Sequence, residues 1–294
     1  MHAPIAIPAD VRSRLKALRL LPRRAIGALG IGQHASRSRG AGLEFAQYRA
    51  YEPGDELRQI DWKLYARSDR FFVRESERES PVTVWVLLDA TGSARQCDLA
   101  RPGVSRLDHA SATAACIVEL ALQQGDRFGL IAVNGDGVQL VAAGSGARQR
   151  DRVHLLLHRL RASGAWPAAE ALRPVWERVQ ANDMLIALGD GFDEAGTVLL
   201  ERLAAARRDV TQLQILGADE RDFPFQDGYR FRDPETGEEL LGDGRAIRDD
   251  YLTRFGEAQR VLQSRLQRGG IAHVVAYTDQ PLDAPLRALA GEAR

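Results

Sequence analysis

The sequence predicts an α/β protein: a doubly wound, mostly parallel sheet with one antiparallel hairpin edge. Three observations predict it. Val82 to Leu88 is apolar apart from Thr83 and rich in β-branched residues, the pattern of a strand buried on both faces. Met184 to Leu188 is a second such run. From residue 82 onward, strand-like runs alternate with helical periodicity, which places helices as crossovers on a parallel sheet. An N-terminal helical arm and a small β elaboration come first. The boundary falls at residue 80, giving an arm with a β/turn segment over 1–80 and an α/β domain over 81–294.

In chain order, Val11, Leu15, Leu18 and Leu21 recur at helical spacing, and Pro22 divides residues 8–30 into two short helices. From Val11 to Leu43 there is no acidic residue but there are Arg12, Arg14, Lys16, Arg19, Arg23, Arg24, Arg37 and Arg39. Such a stretch is either a solvated helix face with a basic loop or a docking surface for an acidic partner or anionic membrane. Gly30 to Gly42 reads as a loop, with His34 in a loop role; its GxG lacks the preceding strand that a nucleotide-binding turn requires.

Glu44 to Tyr51 and Phe71 to Glu77 read as strands. Between them, Pro53-Gly54 is a turn and Asp55 is placed to cap a short helix. Glu52, Asp55, Arg58, Asp61, Arg67 and Arg74 lie among Trp62, Leu64 and Tyr65. Charge beside aromatics at this density is either an ion-pair network locking the segment to the next domain or a recognition surface. Asp55 and Asp61 are paired carboxylates of the kind used in acid–base work, but PGD and IDW are turn and cap contexts.

Beyond Asp89, Leu107 to Gln124 is a helix with small residues on its packing face. Arg127 to Val133 and Val138 to Ala142 form a hairpin around Gly135-Asp136-Gly137. Helices follow at 151–160 and at 168–180, the latter bent near Pro174. After Met184 to Leu188 come a helix at 197–207, a strand at 210–216, and a two-stranded excursion at about 219–244. A long helix at 247–267, a strand at 271–277 and a helix at 282–290 close the chain.

Composition narrows the function classes. The formal net charge is zero, so no global field favours nucleic acid. Lys16 and Lys63 are the only lysines. The two cysteines, Cys97 and Cys116, form no CxxC pair, and neither a disulfide framework nor a zinc site is implied. There is no secretory h-region and no apolar run of the ~18 residues that span a bilayer, so a cytoplasmic protein is expected. GxSxG, HExxH and P-loop strings are missing, and no enzymatic constellation is visible.

The candidate site lies where the first buried strand ends. Asp89 is followed by Ala90-Thr91-Gly92-Ser93, and Asp190 ends the second buried strand in the same way. Ligands of open α/β sheets bind beyond the carboxyl ends of strands. Carboxylate and hydroxyl oxygens are hard ligands, suited to Mg²⁺, Mn²⁺ or Ca²⁺.

These residues resemble a known pattern. Asp89-Ala90-Thr91-Gly92-Ser93 looks like the DxSxS signature of von Willebrand factor A-like domains, with Thr at the first hydroxyl position, and Asp190 matches the later aspartate of their metal-ion-dependent adhesion site. Upstream, Arg49, Tyr51, Gly54, Asp55, Arg58, Ile60, Asp61, Trp62, Ala66 and Arg67 fit the string R-x-Y-x-x-G-D-x-x-R-x-I-D-W followed by A-R. That string resembles the bacterial family catalogued as domain of unknown function 58. Phe223-Pro224-Phe225, Arg248, Tyr251 and Thr278-Asp279 sit in similar contexts. The resemblance implies a von Willebrand A-like, Rossmann-type fold and the soluble subgroup of the family. It also implies a MoxR-type AAA+ ATPase partner with an unknown client. Asp89, Thr91, Ser93 and Asp190 are the implied metal ligands, for Mg²⁺ first. Trp166 stands where the third-loop threonine of that site belongs, so the site is expected to be degenerate.

The expected function is a non-enzymatic protein-interaction module acting beside the ATPase in assembly, maturation or stress response. The alternatives are a metal-dependent hydrolase or phosphatase using the two strand-end aspartates, and a peripheral membrane scaffold using the basic arm.

Overall fold

The computed structural model describes residues 7–23, 47–52, 55, 60–75, 82–233 and 237–290. The chain forms two compact units: residues 27–81, and residues 1–26 together with 82–294. The N-terminal helix α1 (Ala9–Leu15) therefore belongs with the α/β unit and not with the segment that follows it, which moves the domain boundary expected at residue 80. The reason is packing: Val11, Leu15 and Leu20 share one buried cluster with Val84, Val86 and Ile117. The helix expected after Pro22 and the helix expected after Asp55 lie outside the described residues.

Within residues 27–81, β1 (Gln47–Ala50) pairs antiparallel with β2 (Phe72–Glu75), and α2 (Trp62–Ser68) lies between them in sequence. Asp61 caps α2, its Oδ1 accepting from the backbone N–H groups of Lys63 at 2.9 Å and Leu64 at 3.0 Å. Tyr65 stacks on Phe71 with ring centroids 4.4 Å apart, and Trp62 meets Phe71 edge-on.

The α/β unit continues with β3 (Thr83–Asp89), α3 (Arg106–Gln124), β4 (Arg127–Asn134), β5 (Gly137–Gly144) and α4 (Ala147–Arg159). Next come α5 (Arg173–Arg178), β6 (Met184–Gly189), α6 (Glu194–Ala205), β7 (Asp209–Leu216) and α7 (Ala218–Asp222). The hairpin β8 (Gly228–Arg232) and β9 (Glu239–Asp243), then α8 (Gly244–Arg268), β10 (Ala272–Tyr277) and α9 (Ala284–Leu289), complete it. The six-stranded sheet has the order β10-β7-β6-β3-β4-β5, and β5 alone among its strands runs antiparallel. This is the doubly wound α/β fold with one antiparallel edge. Its strand order reverses between β3 and β6, so the crevice at their carboxyl ends is the topological switch point.

β3 shows why the sheet is covered on both faces. Val84, Val86 and Leu88 join the cluster under α1, α3, α4 and α9. Trp85 and Leu87 join the opposite cluster under α5, α6 and α8. Gly129 on β4 makes room for Trp85, because a Cβ there would stand 2.5 Å from Cζ3 of the indole. α3 begins with a capping box between Ser105 and Asp108 and stops at Gly125 in the left-handed region (φ 76°).

Some boundaries differ from the sequence expectation. Residues 168–180 form a 3-10 turn (Ala169–Leu172) followed by the short α5, because Pro174 has no N–H for an intrahelical bond and fits only at a helix's first turn. α6 starts at Glu194, three residues earlier than expected, because Asp193 caps it by accepting from Gly196 N–H at 2.9 Å.

Candidate functional site

The loop after β3 is held by its own aspartate. Asp89 is 9% exposed, and its Oδ1 accepts from the backbone N–H of Thr91 at 2.9 Å and from the Thr91 hydroxyl at 2.7 Å. Thr91 Oγ1 lies 3.3 Å from Ser93 Oγ, so the two hydroxyls of the motif adjoin. Gly189, ending β6, is required beside them: a Cβ there would lie 2.6 Å from Cβ of Asp89.

The loop before α5 is stitched to this one by backbone bonds. Ser163 N–H donates to Ala90 O at 2.9 Å, and Gly92 N–H donates to Gly164 O at 2.6 Å. Three residues after Ser163 the chain presents Trp166, whose indole N–H donates to Asp89 Oδ2 at 3.0 Å. The indole rests over Gly196 of α6, where a Cβ would stand 3.1 Å from Cζ2. Below it is a cavity of about 30 Å³, bordered by Asp89 and Gln212 at its polar side and Leu87, Leu200 and Leu262 at its apolar side.

Asp190 lies across the crevice and is 8% exposed. Its Oδ1 accepts from Phe192 N–H at 3.2 Å and its backbone carbonyl from Gln214 Nε2 at 2.6 Å. Its Oδ2 accepts from Nη1 of Arg106 at 2.8 Å. The Arg106 side chain is 5% exposed and also donates from Nη2 to Glu220 Oε2 at 2.7 Å and to Gln96 Oε1 at 3.2 Å. Burial, and secondarily the Asp190 charge, push the Asp89 carboxyl up to about 6.

The structure thus brings Asp89, Thr91, Ser93 and Asp190 to one edge of the sheet. The donor set they leave does not fit a hard divalent cation, which fills part of its oxygen shell with waters but needs free protein carboxylates to anchor it. Asp190 is committed to a guanidinium, Asp89 is filled by N–H and O–H donors, and the third loop offers a donor where an oxygen is needed. No group of three His, Cys, Asp or Glu side chains among the described residues is arranged to hold a metal. Sequence reasoning missed Arg106. Its only signal is an arginine in the first turn of the helix after the motif, which by itself is unremarked in any sequence.

The upstream signature residues lie in the other unit. Tyr51 packs against Phe71 with ring centroids 6.2 Å apart. Asp55 accepts from Glu52 N–H at 2.8 Å as a turn residue, and Asp61 caps α2. Trp62 and Arg67 are exposed on α2. Gly54, Arg58 and the Arg49 side chain lie outside the described residues. The two carboxylates Asp55 and Asp61 thus do the turn and cap work that their contexts suggest.

The basic arm is partly consumed by structure. Arg14 pairs with Asp283 at 2.9 Å, and Arg23 clamps Asp209 through its backbone N–H at 2.7 Å and its Nε at 2.9 Å. Arg24, Arg37 and Arg39 lie outside the described residues. Among the described residues no helix is long and apolar enough to cross a membrane.

A family model described as "Protein of unknown function DUF58" matches residues 47–261, spanning the signature segment and most of the α/β unit. The chain belongs to the DUF58 family. Its similar relatives include uncharacterised proteins of Mycobacterium tuberculosis (Rv1480) and Mycobacterium bovis (Mb1516). Each is 26% identical over 282 residues, covering 92% of this chain and 86% of the relative. Among solved structures, BatB from Bacteroides thetaiotaomicron is similar at 13% identity with a TM-score of 0.44, covering 72% of this chain and 96% of that one. An aerotolerance-related membrane protein from Bacteroides fragilis is similar at 13% identity with a TM-score of 0.46, covering 72% and 98%. The SpRpn10 VWA domain is similar at 13% identity with a TM-score of 0.40, covering 71% and 95%. In this DUF58 chain the family match covers both the segment that carries the signature string and the strand ends that carry Asp89 and Asp190.

Proposed function

We propose that this chain is a non-enzymatic protein-interaction module working beside a MoxR-type AAA+ ATPase, with the carboxyl edge of its sheet as the contact surface. One observation carries this reading. A continuous path of aromatic contacts leads from the site to exposed apolar surface. Phe192, two residues beyond Asp190, is 46% exposed and meets Phe255. Phe255 stacks on Tyr251, Tyr251 packs on Phe223 with centroids 4.4 Å apart, and Phe223 stacks on Phe231 of β8. Opposite Phe231 and Arg230 on β9 stand Leu240 and Leu241, 65% and 74% exposed. Two adjacent, well-exposed leucines on a short ribbon are a feature of contact surfaces. The resemblance to the DUF58 pattern supplies the identity of the partner.

The test is co-purification with tagged chain under ATP-bound conditions. Recovery of an AAA+ ATPase is expected, with loss on Leu240→Asp/Leu241→Asp and weakening on Asp89→Ala. Recovery of no ATPase from cells that contain one would sink the proposal. The hydrolase reading gains no support from the geometry, since both strand-end aspartates are committed to donors within the fold.

A further inference from the structure

We propose that Arg106 and Trp166 together take the place of a divalent cation, so that this sheet edge is charge-compensated from within and does its work without metal. The two strand-end carboxylates, Asp89 and Asp190, are buried where their charges oppose each other, and buried carboxylates demand compensation. In this chain the compensation comes from its own side chains, through ion pairs and hydrogen bonds. The Arg106 guanidinium reaches Asp190 at 2.8 Å and Glu220 at 2.7 Å, and it joins the loop after β3, the first turn of α3, the loop after β6 and the short α7. Trp166 gives Asp89 Oδ2 a hydrogen-bond donor from the third loop, at 3.0 Å.

The exclusion of metal follows from charge and from geometry. A divalent ion near Asp190 would sit beside a fixed positive guanidinium. To displace that guanidinium from Asp190 would leave a buried charge with only one of its two anions, Glu220, and breaking a buried ion pair is costly. What remains for an ion is the hydroxyl pair Thr91 and Ser93, which already bond each other at 3.3 Å. That the contact surface operates without metal rests on the proposed interaction function; that the site excludes metal does not.

The experiment is titration of Mn²⁺ into the full chain, followed by calorimetry and by paramagnetic relaxation of water protons, with unfolding temperatures taken in Mg²⁺ and in EDTA. Wild type is expected to show no Mn²⁺ uptake that depends on Asp89 and equal unfolding temperatures in the two buffers. Arg106→Gln/Trp166→Thr is expected to gain at least about tenfold in Mn²⁺ affinity, and to lose the gain when Asp89→Ala is added. Trp166→Thr alone, in a loop, supplies a second variant should the double one fail to fold, with a weaker gain expected. Wild-type Mn²⁺ binding abolished by Asp89→Ala overturns the proposal, as does the lack of any gain in a folded variant. Binding that survives both Asp89→Ala and Thr91→Ala/Ser93→Ala lies elsewhere and leaves the sheet edge metal-free as proposed, whereas binding lost in either variant overturns it. Because no partner protein takes part, failure of the ATPase pull-down and failure of this test are separate results.

Discussion

The indole N–H of Trp166 points at Oδ2 of Asp89 from 3.0 Å, across 77 residues of chain. A residue that disqualifies the third loop as an oxygen donor therefore has a positive role, since it satisfies a buried carboxylate. Trp166→Phe keeps the ring over Gly196 and deletes the donor. A loss of about 1–2 kcal/mol in unfolding free energy is expected in urea titration, the cost of an unmet buried acceptor. In a double-mutant cycle with Asp89→Asn, a coupling energy of zero would show that the bond contributes nothing.

Gly189 is a sharper probe of the crevice. Its missing Cβ would collide with Cβ of Asp89 at 2.6 Å, and neither backbone can retreat from the middle of a sheet. Gly189→Ala should destabilise by about 1–3 kcal/mol through overpacking. Gly256 in α8 is the control, because a Cβ there meets nothing within 4 Å. Gly256→Ala should stabilise by up to about 1 kcal/mol. Equal effects at the two positions would contradict the close approach of Gly189 to Asp89.

His109 sets a pH dependence. It is 2% exposed on α3 and its Nδ1 has no hydrogen-bond partner. Burial first, and then the Arg101 charge, bring its pKa down to about 4 from an ordinary 6.5. Below pH 6.5 the unfolded chain takes up the proton and the folded chain does not. Its contribution to stability is therefore intact above pH 6.5 and is lost as pH falls toward 4, by about 3 kcal/mol in all. The stability difference between wild type and His109→Leu should shrink over that window in urea titrations at stepped pH, and a flat difference would refute the assignment.

Arg23 separates structure from surface charge in the basic arm. Asp209 is 5% exposed and receives both the backbone N–H and the guanidinium of Arg23. Arg23→Ala should lower stability by about 1–2 kcal/mol, discounted because the arginine itself is half-exposed. Arg19→Ala, at an exposed position on the same arm, should cost less than about 0.5 kcal/mol. Thermal unfolding of both variants checks this. A liposome-binding defect in Arg23→Ala would have to be corrected for the lost stability before it speaks for membrane contact.

Much of the fold is legible in the sequence because its signals are local. The run Val82 to Leu88 declares a strand buried on both faces, and the structure divides its side chains between two clusters. Asp89-Ala90-Thr91-Gly92-Ser93 declares a polar turn at the strand's end, since a carboxylate and hydroxyls two apart close such turns on themselves. The β8–β9 excursion was announced by its turn residues and by the break it makes in the alternation.

Tertiary structure alone decided the rest. Arg106 lies 84 residues from Asp190 and 114 from Glu220, and no periodicity links them. They meet because the crossovers bring the loops after β3, β6 and β7 to one edge of the sheet. Helix α1 likewise joins a core that begins more than sixty residues later, a partnership set by available apolar surface and not by chain order. The sequence determined by itself that two buried strands each end in an aspartate, because strand burial and turn chemistry are properties of neighbouring residues; that the two ends face one crevice follows from β3 lying beside β6. How those buried charges are neutralised depended on which side chain the fold delivers to them, and electrostatic compensation acts through space.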